Sequence, residues 1–260
     1  MPKQGNALNV LIACPLYPRR PRIWARSLTS ILTMEWEGPS EILLLRDDVP
    51  IGGERTINGY DNVCEKYQWA RRVALDGGYD ALLTVEADMI VPEDTLLRLS
   101  QVDADVAYGL YASRHGRTQW VCATELGKMT AQWLSQDHYR AKQAWGQVME
   151  SQGVGMGCTF IRRRVLEAIP FRREPGLLAN DWYFALDVRE AGYRQAHDLG
   201  VVCGHITGKP SPRIIWPDVT ARNLVRVEYM EPGLPVEPEP EDEPRVATTV
   251  QELAALAVEG

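Results

Sequence analysis

Two carboxylates separated by one residue lie directly after an apolar run in the first third of the chain. They are Glu86 and Asp88, with Ala87 between them, and the run is residues 81–85 (ALLTV). Side chains with this spacing can point toward one divalent cation. Hard cations such as Mg²⁺ and Mn²⁺ prefer oxygen ligands and keep positions open for phosphate oxygens, so a metal here would neutralise a diphosphate leaving group. The same residues also fit a solvated turn that ends the strand.

The position of this pair, more than its pattern, points to chemistry. With 35 acidic residues in 260, roughly five acid-x-acid matches are expected by chance. Asp103 and Asp105 precede a predicted strand, so we expect them at the opposite edge of the sheet. Glu86 and Asp88 instead follow a long buried strand. Other matches include Glu35 with Glu37 and the tail series Glu237, Glu239 and Glu241.

A second group of carboxylates follows another apolar run. Asp47 and Asp48 come after Arg46 and the run 41–45 (EILLL). Carboxylates at this place can accept hydrogen bonds from a base N–H or from ribose hydroxyls. An aspartate-rich turn explains the same residues, because aspartate favours turns.

Alternating strands and helices must position these residues. Apolar runs predict buried strands at 9–14, 41–45 and 81–85, and apolar residues at helical spacing predict helices at 21–33 and 58–76. A β-α-β-α-β order is typical of a parallel, doubly wound sheet. Such sheets bind ligands at the carboxyl ends of their strands, which is where the acidic residues lie.

The second half of the chain shows a weaker pattern. Strands are predicted at 106–111, at 153–161 as a glycine-rich turn entering a strand, and at 199–203 as the last short strand. Helices are predicted at 162–169 and 181–191.

Three further segments complete the predicted organisation. Residues 128–147 carry aromatic side chains among polar ones, and we interpret them as a lid or an acceptor-facing segment. Residues 231–245 are rich in proline and glutamate, which predicts an extended linker. Residues 246–260 are predicted to be an amphipathic helix or tail, so one catalytic domain would span residues 1–230.

Composition narrows the function classes. The net charge of −7 argues against a general nucleic-acid binder. Basic clusters within 19–26 and at 162–164 either meet a polyanionic acceptor or solvate helix faces. Five scattered cysteines predict reduced, buried thiols. The sequence shows no leader peptide and no apolar run near the roughly 20 residues that span a membrane, so we expect a cytoplasmic protein.

Together these segments resemble a family 2 glycosyltransferase of the GT-A type, over roughly residues 9–207. The resemblance implies an α/β fold with a mostly parallel central sheet and helices on both faces. It implies transfer of a sugar from a nucleotide diphosphate sugar to an acceptor hydroxyl, with Mn²⁺ or Mg²⁺ as the cofactor. The acceptor stays open, because a glycan, a lipid carrier, a protein or a modified nucleic-acid base would all fit.

The resemblance assigns the donor-binding residues first. Pro15, Leu16 and Tyr17 match the loop after the first strand that touches the nucleotide base. Asp47 and Asp48 match the pair that contacts the base or the ribose. Lys66, with Arg55, is a candidate for the donor phosphates, although a surface cation is the default interpretation of either residue.

The metal site is assigned by the same resemblance. Glu86-Ala87-Asp88 matches the family's D-x-D motif, with glutamate in the first place. The longer arm of Glu86 makes Asp88 the stronger metal ligand, and Ala87 would line the donor site. His205 matches a histidine that some GT-A enzymes use as a third metal ligand, and His197 is its competitor.

The catalytic base is assigned to Asp181. Residues 180–182 together with 189–193 (REAGY) resemble the acidic motif at the start of a helix, whose second acid deprotonates the acceptor in inverting enzymes. Asn180 departs from this motif, because an acid is usual there. Asp181 could also simply cap the helix. Trp182 is a candidate for stacking on a sugar ring, and the glycines at 153, 155 and 157 resemble an acceptor-side turn.

Two other functions fit part of the sequence. A nucleotidyltransferase also uses a doubly wound sheet and metal-bound carboxylates, but its first loop is usually glycine-rich, and residues 15–20 contain no glycine. A noncatalytic nucleotide-sugar-binding module would need the same carboxylates without turnover.

Overall fold

Most of the predicted catalytic domain is defined by the structure, which is a computed structural model. The described residues are 7–16, 21–45, 50–51, 54–55, 59–113, 119–173, 180–207 and 212–230. The predicted linker 231–245 and tail 246–260 lie outside them.

The described residues form the strands and helices predicted from the apolar patterns, together with several that were not predicted. The strands are β1 (Val10–Pro15), β2 (Ser40–Leu45), β3 (Pro50–Ile51), β4 (Glu54–Arg55), β5 (Ala81–Val85), β6 (Met89–Ile90), β7 (Val106–Leu110), β8 (Ala123–Leu126), β9 (Ala131–Trp133), β10 (Val148–Glu150), β11 (Cys158–Arg162), β12 (Gln195–Val202), β13 (Gly204–Thr207), β14 (Arg213–Pro217) and β15 (Val225–Tyr229). The helices are α1 (Pro21–Leu32), α2 (Gly59–Asp76), α3 (Thr95–Gln101), α4 (His138–Ala144), α5 (Arg163–Ala168) and α6 (Asn180–Glu190), with a 3₁₀ turn at Leu134–Gln136.

One mixed sheet carries the core, in the order β10-β12-β7-β11-β5-β1-β2. Strands β2, β1, β5, β7 and β12 run in one direction, whereas β11 and β10 run in the other, so five of the seven are parallel. The predicted α/β fold with a mostly parallel central sheet is therefore confirmed. The strand predicted within 153–161 is β11, but its antiparallel direction between β5 and β7 was not predicted.

Helices cover both faces of this sheet, as predicted. Successive side chains of a strand point to opposite faces. Ile12 of β1 accordingly packs in the same apolar cluster as Ile31 of α1, and Leu11 packs with Tyr67 of α2 on the other face. Burying each such side chain contributes about 1.5–3 kcal/mol. The continuous apolar runs therefore stabilise the packing of helices on both faces of the sheet.

A smaller sheet, in the order β15-β14-β13-β6, corrects the prediction for the end of the domain. The prediction that 199–203 is the last strand, with His205 following it, is wrong. That strand is β12, which begins at Gln195 and contains His197, and His205 lies inside β13. The apolar pattern did not indicate this sheet, because β13 is stabilised by pairing with the distant strand β6 as well as with its neighbour β14.

The segment 128–147, predicted as a lid or acceptor-facing segment, is packed onto the domain. It contains β9, the 3₁₀ turn and α4, and β9 pairs with β8 in a hairpin. Leu134 and Ala141 are buried in the same apolar cluster as Trp120. Asp137 caps α4, because its carboxylate accepts hydrogen bonds from two backbone N–H groups at 3.0 and 3.1 Å.

The basic cluster at 162–164 makes contacts within the fold. Arg162 and Arg163 donate to backbone carbonyls, and Arg164 binds a buried carboxylate. Their acceptors include Ala104, Tyr79 and Asp105. The predicted free and buried thiols are confirmed for all five cysteines.

Candidate functional site

Glu86 is held at the carboxyl end of β5 by its backbone and its side chain. Its N–H donates to the carbonyl of Gly157 at 3.0 Å, and its carbonyl accepts from the hydroxyl of Ser27 at 3.1 Å. Its carboxylate accepts a hydrogen bond from the hydroxyl of Tyr67 at 3.0 Å, and Tyr67 is fully buried on α2. One oxygen of this half-buried carboxylate is therefore oriented by the protein itself.

Asp88 lies next to His205 because β6 pairs with β13. Met89 is opposite His205 in this pairing, and the N–H of Ile206 donates to the carbonyl of Asp88 at 2.7 Å. The carboxylate oxygen Oδ2 of Asp88 lies 3.6 Å from Nε2 of His205, and both residues are buried, with 5% and 6% exposure. The structure thus brings together two of the three residues that the resemblance assigns to a metal.

The hydrogen bond made by Nδ1 of His205 fixes the tautomer of this histidine. Nδ1 lies 2.7 Å from the carbonyl oxygen of Ala112, which can only accept, so Nδ1 carries the hydrogen. In the neutral ring, Nε2 then presents its lone pair on the side of Asp88. Nε2 is buried and forms no hydrogen bond with the described residues. A histidine that donates one N–H to a carbonyl and turns its other nitrogen to a site is typical of metal ligands.

A divalent cation fits the donor set of Asp88 and His205. Imidazole nitrogen with carboxylate oxygen suits Mn²⁺, and a carboxylate also suits Mg²⁺. Among the residues that the structure describes, no three His, Cys, Asp or Glu side chains converge closely enough to hold a metal. Glu86 therefore does not complete a three-residue cluster with this pair, and substrate oxygens would have to supply further ligands.

Asp181 lies in the first turn of α6, which begins at Asn180. Its carboxylate accepts a hydrogen bond from the N–H of Trp182 at 2.8 Å. Desolvation by burial raises the pKa of this carboxyl above its ordinary value, against the opposing effect of hydrogen bonds from the backbone N–H groups of Trp182 and of Asp181 itself. Its neighbour Asn180 is buried, and Nδ2 of that side chain has no hydrogen-bond partner. A carboxyl with a raised pKa is better suited to accept a proton near neutral pH.

Tyr111 connects the three acidic residues. Burial raises the pKa of its phenol well above the ordinary value, and the charges of Glu86, Asp181 and Asp88 raise it further. Its ring meets the ring of His205 edge to face, with 5.6 Å between centroids. The carboxylates that follow β5 and the one in the first turn of α6 are therefore close enough to this buried phenol for their charges to raise its pKa.

The end of β1 belongs to the same region. Burial, followed by the charges of Glu86 and Asp88, raises the pKa of the Cys14 thiol to about 12. Pro15 is opposite Leu45 of β2, and the N–H of Leu16 donates to the carbonyl of Leu45 at 3.0 Å. The carboxyl ends of β1 and β5 thus meet at one edge of the sheet, as the parallel order predicts.

Lys66 is not a surface cation. It is 3% exposed on α2, and its ammonium donates to the carbonyl of Leu16 at 3.2 Å. Ala87 is 1% exposed and packs in the apolar core. The remaining donor-site candidates, Tyr17, Asp47 and Asp48, lie outside the described residues, and so does the side chain of Arg55.

His197, the competing histidine, is structural. It is fully buried in β12, with Nδ1 at 2.8 Å from the hydroxyl of Ser151 and Nε2 at 2.9 Å from the carbonyl of Val121. Its ring stacks on Tyr108 at 4.9 Å between centroids. Burial lowers its pKa to about 4, against the raising effect of the Val121 carbonyl. Both ring nitrogens are bonded within the fold, which leaves His205 as the histidine of the site.

The glycine-rich turn before β11 wraps around Tyr111. Gly153, Val154 and Gly155 all have positive φ, at 77°, 83° and 100°. A left-handed conformation costs an L-residue roughly 1–2 kcal/mol, and a β-branched residue such as Val154 rarely adopts it. A Cβ on Gly155 would overlap the hydroxyl of Tyr111, and one on Gly157 would lie 2.9 Å from Cζ of its ring. The turn therefore needs glycine at both places to pack on this tyrosine.

Alanine at Gly155 is expected to disturb the site far more than alanine at Gly146. Gly146 also has positive φ, at 75°, but a Cβ there would meet nothing within 4 Å. We expect Gly146→Ala to cost about 1–2 kcal/mol for its backbone conformation, and Gly155→Ala to cost a further 1–3 kcal/mol or so for the overlap with Tyr111. Urea unfolding of the two variants measures the difference. Equal losses of stability would show that the turn does not depend on its contact with Tyr111.

Solved structures show where this architecture recurs. The chain shares its fold with A197 from STIV. The two align with a TM-score of 0.51 at 16% sequence identity, over 87% of this chain and 96% of A197. No protein-family model and no curated protein sequence matches the chain.

Two further solved proteins align with the chain at TM-scores below 0.5. The catalytic domain of Drosophila β1,4-galactosyltransferase 7, in complex with xylobiose, aligns at 12% identity with a TM-score of 0.45, over 79% of this chain and 67% of that domain. S. aureus TarS 1-349 aligns at 13% identity with a TM-score of 0.47, over 79% of this chain and 59% of TarS 1-349. TarS 1-349 also has a structure in complex with UDP-GlcNAc, which aligns with a TM-score of 0.43.

Sequence reasoning missed two tyrosines of the site. Tyr111 directly follows β7, so the rule that ligands bind at the carboxyl ends of parallel strands could have indicated it. Tyr67 lies within the predicted helix 58–76, and no pattern in the sequence indicates that its hydroxyl contacts Glu86.

None of the helices in the described part of the chain has the length and apolar character needed to cross a membrane.

Proposed function

We propose that this chain is a metal-dependent glycosyltransferase that moves a sugar from a nucleotide diphosphate sugar to an acceptor hydroxyl, with inversion at the anomeric carbon. One observation carries the proposal. The buried carboxylate of Asp88 lies 3.6 Å from Nε2 of His205, whose ring meets Tyr111, at the carboxyl edge of a mostly parallel sheet. Ligands of open α/β sheets bind at this edge.

Asp88 and His205 are the residues that would hold the cation. When bound, Mn²⁺ or Mg²⁺ stabilises the negative charge of the departing diphosphate. The hydrogen bond from Nδ1 of His205 to the carbonyl of Ala112 keeps Nε2 available for this role. The hydroxyl of Tyr67 orients Glu86 at the same edge, where Glu86 contacts the donor or the cation.

Asp181 accepts the proton of the acceptor hydroxyl as that oxygen attacks the sugar. The N–H of Trp182 fixes the carboxylate, and the raised pKa brings its basicity closer to the operating pH. A single displacement with one base inverts the anomeric centre. Pro15 and Leu16 lie at the end of β1, and Lys66 of α2 donates to the carbonyl of Leu16. The nucleotide would bind there, with Tyr17, Asp47 and Asp48 as its further candidate contacts.

A donor panel tests the proposal. The purified chain with Mn²⁺ is incubated with UDP-, GDP- and dTDP-sugars, with and without glycan acceptors, and nucleoside diphosphate release is measured. We expect release from one donor class, its loss with EDTA, and an inverted anomeric configuration by NMR. Pyrophosphate release from a nucleoside triphosphate and a sugar phosphate would instead identify a nucleotidyltransferase. Saturable donor binding without turnover would identify a binding module.

A further inference from the structure

Arg213 lies on the same face of the small sheet as His205. In the pairing of β13 with β14, Ile215 is opposite His205 and Arg213 is opposite Thr207. Arg213 and His205 are therefore diagonal neighbours, a relation that places two residues about 7–8 Å apart and within reach of a long side chain. The guanidinium of Arg213 can thus approach the space beside Asp88 and His205.

The guanidinium of Arg213 has a buried Nε that makes no hydrogen bond with any of the residues that the structure describes. In the part of the chain that the structure describes, four other half-buried arginines bind carboxylates or carbonyls. They are Arg71 with Leu166, Arg98 with Asp198, Arg162 with Ala104 and Arg189 with Leu126. The chain has seven more acidic than basic side chains. The Nε of Arg213 is therefore unpaired, among the described residues, in a protein that has carboxylates in excess.

The charge balance at the Asp88–His205 site indicates a role for Arg213. A divalent cation bound by the carboxylate of Asp88 keeps one net positive charge, whereas the diphosphate of a nucleotide sugar carries two negative charges. Glu86 and Asp181 add further negative charge nearby. A second cation is needed to balance the ligand, and the planar fork of a guanidinium matches phosphate oxygens in a bidentate way.

We propose that Arg213 binds the diphosphate of the donor directly, as a second cation beside the Asp88–His205 pair. The inference rests on the proposed function, because it names a ligand of the same site. It makes Arg213 a donor-binding residue in addition to those assigned from the sequence. The same side chain would stabilise the diphosphate as it leaves, when its charge grows.

Inorganic pyrophosphate with Mg²⁺ is the probe that tests this role without knowledge of the nucleotide. Isothermal titration compares the wild type with Arg213→Gln and Arg213→Lys. We expect Arg213→Gln to weaken pyrophosphate binding at least tenfold and Arg213→Lys to weaken it less, because lysine keeps the charge and loses the fork. Uridine binding, if measurable, stays unchanged in both variants.

Arg226→Gln is the matched control. Arg226 lies on the next strand of the same sheet, but its guanidinium is paired with Glu228 at 3.6 Å and stacks over Trp216. We expect this variant to keep wild-type affinity for pyrophosphate. Thermal melting of all the variants shows whether each is folded, and a second substitution, Arg213→Met, replaces Arg213→Gln if the glutamine variant melts early.

The outcomes separate this inference from the proposed function. Wild-type pyrophosphate affinity in folded Arg213→Gln, or no pyrophosphate binding by the wild type, overturns the role of Arg213. Nucleotide-sugar turnover by the wild type would leave the transferase proposal standing in either case. A tenfold loss in Arg213→Gln, with no turnover of any nucleotide sugar by the wild type, supports the diphosphate site and removes the transferase.

Discussion

Asp181→Asn is expected to lower turnover by about a hundredfold to ten-thousandfold, which is the usual contribution of a general base. The substitution keeps the shape of the side chain and the oxygen that accepts from the N–H of Trp182. It removes the ability to take a proton. Steady-state kinetics of nucleoside diphosphate release with acceptor present measures the effect on kcat and on kcat/KM.

Asp187→Asn on the same helix is the control. Asp187 pairs with Arg172 at 2.7 Å and takes no part in the proposed reaction. We expect this variant to lose a little stability and to keep wild-type turnover. If Asp181→Asn turned over donor and acceptor at the wild-type rate, Asp181 would not be the catalytic base. The alternative interpretation, in which it only caps the helix, would then hold.

The pH dependence distinguishes a base from a cap. Burial raises the pKa of Asp181 in the folded protein, so the proton is lost at a higher pH than in an ordinary carboxyl. Turnover should rise with pH through this raised pKa, and the acidic limb of the profile should lie above the usual aspartate range near 3.9. Asp181→Asn should abolish that limb.

The contribution of Asp181 to the free energy of unfolding should fall as the pH rises, whereas turnover should rise. A carboxyl whose folded pKa is raised favours the folded state below its unfolded pKa, and this contribution is lost as the pH rises through the folded pKa. At neutral pH the folded protein therefore holds a poorly solvated charge, and Asp181→Asn should raise the free energy of unfolding there. Urea unfolding at pH 4 and pH 8 measures the effect. A variant less stable than the wild type at pH 8 would show that the carboxylate stabilises the helix.

The elements on which the site is built could be predicted from the sequence, because local physics decides them. The apolar run 81–85 is β5, and the run 9–14 is β1 shifted by one residue. Helix α2 ends at the predicted position, where Gly78 adopts a φ of 72°. Asp105, placed by sequence at the opposite edge of the sheet, binds Arg164 there.

The parts that could not be predicted depend on contacts between distant segments. Asp88 meets His205 only because two residues of β6 pair with β13, more than a hundred residues later. Strand β11 is as apolar as its parallel neighbours, so nothing in its composition shows that it runs the other way. Tyr111 and Tyr67 act through hydroxyl positions that an apolar pattern does not reveal.

Asp88→Ala and His205→Ala are each expected to reduce metal-dependent turnover about a hundredfold or more, since several kcal/mol of charge stabilisation depend on the cation. The direct readout is metal affinity. A ligand that binds only the folded state at a hundred times its Kd stabilises by about 2.7 kcal/mol, so Mn²⁺ should raise the Tm of the wild type. Neither variant should show this rise.

A double-mutant cycle tests whether the two residues share one ion. If they do, the double variant should lose hardly more metal affinity than either single variant, because the first substitution already removes the site. Independent, additive losses would show that Asp88 and His205 do not hold the same cation. Asp88→Asn, which keeps the shape of the buried side chain, repeats the test if the alanine variant fails to fold.

Asp198→Asn separates burial from metal binding. Asp198 is as buried as Asp88, but its carboxylate is paired with Arg98 at 2.7 Å. Breaking this pair should lower stability by roughly 3–5 kcal/mol at most, and the rise in Tm with Mn²⁺ should persist. An equal rise in Asp88→Asn and His205→Ala would mean that the pair is an internal contact of the fold, because Nε2 of His205 would then serve no cation.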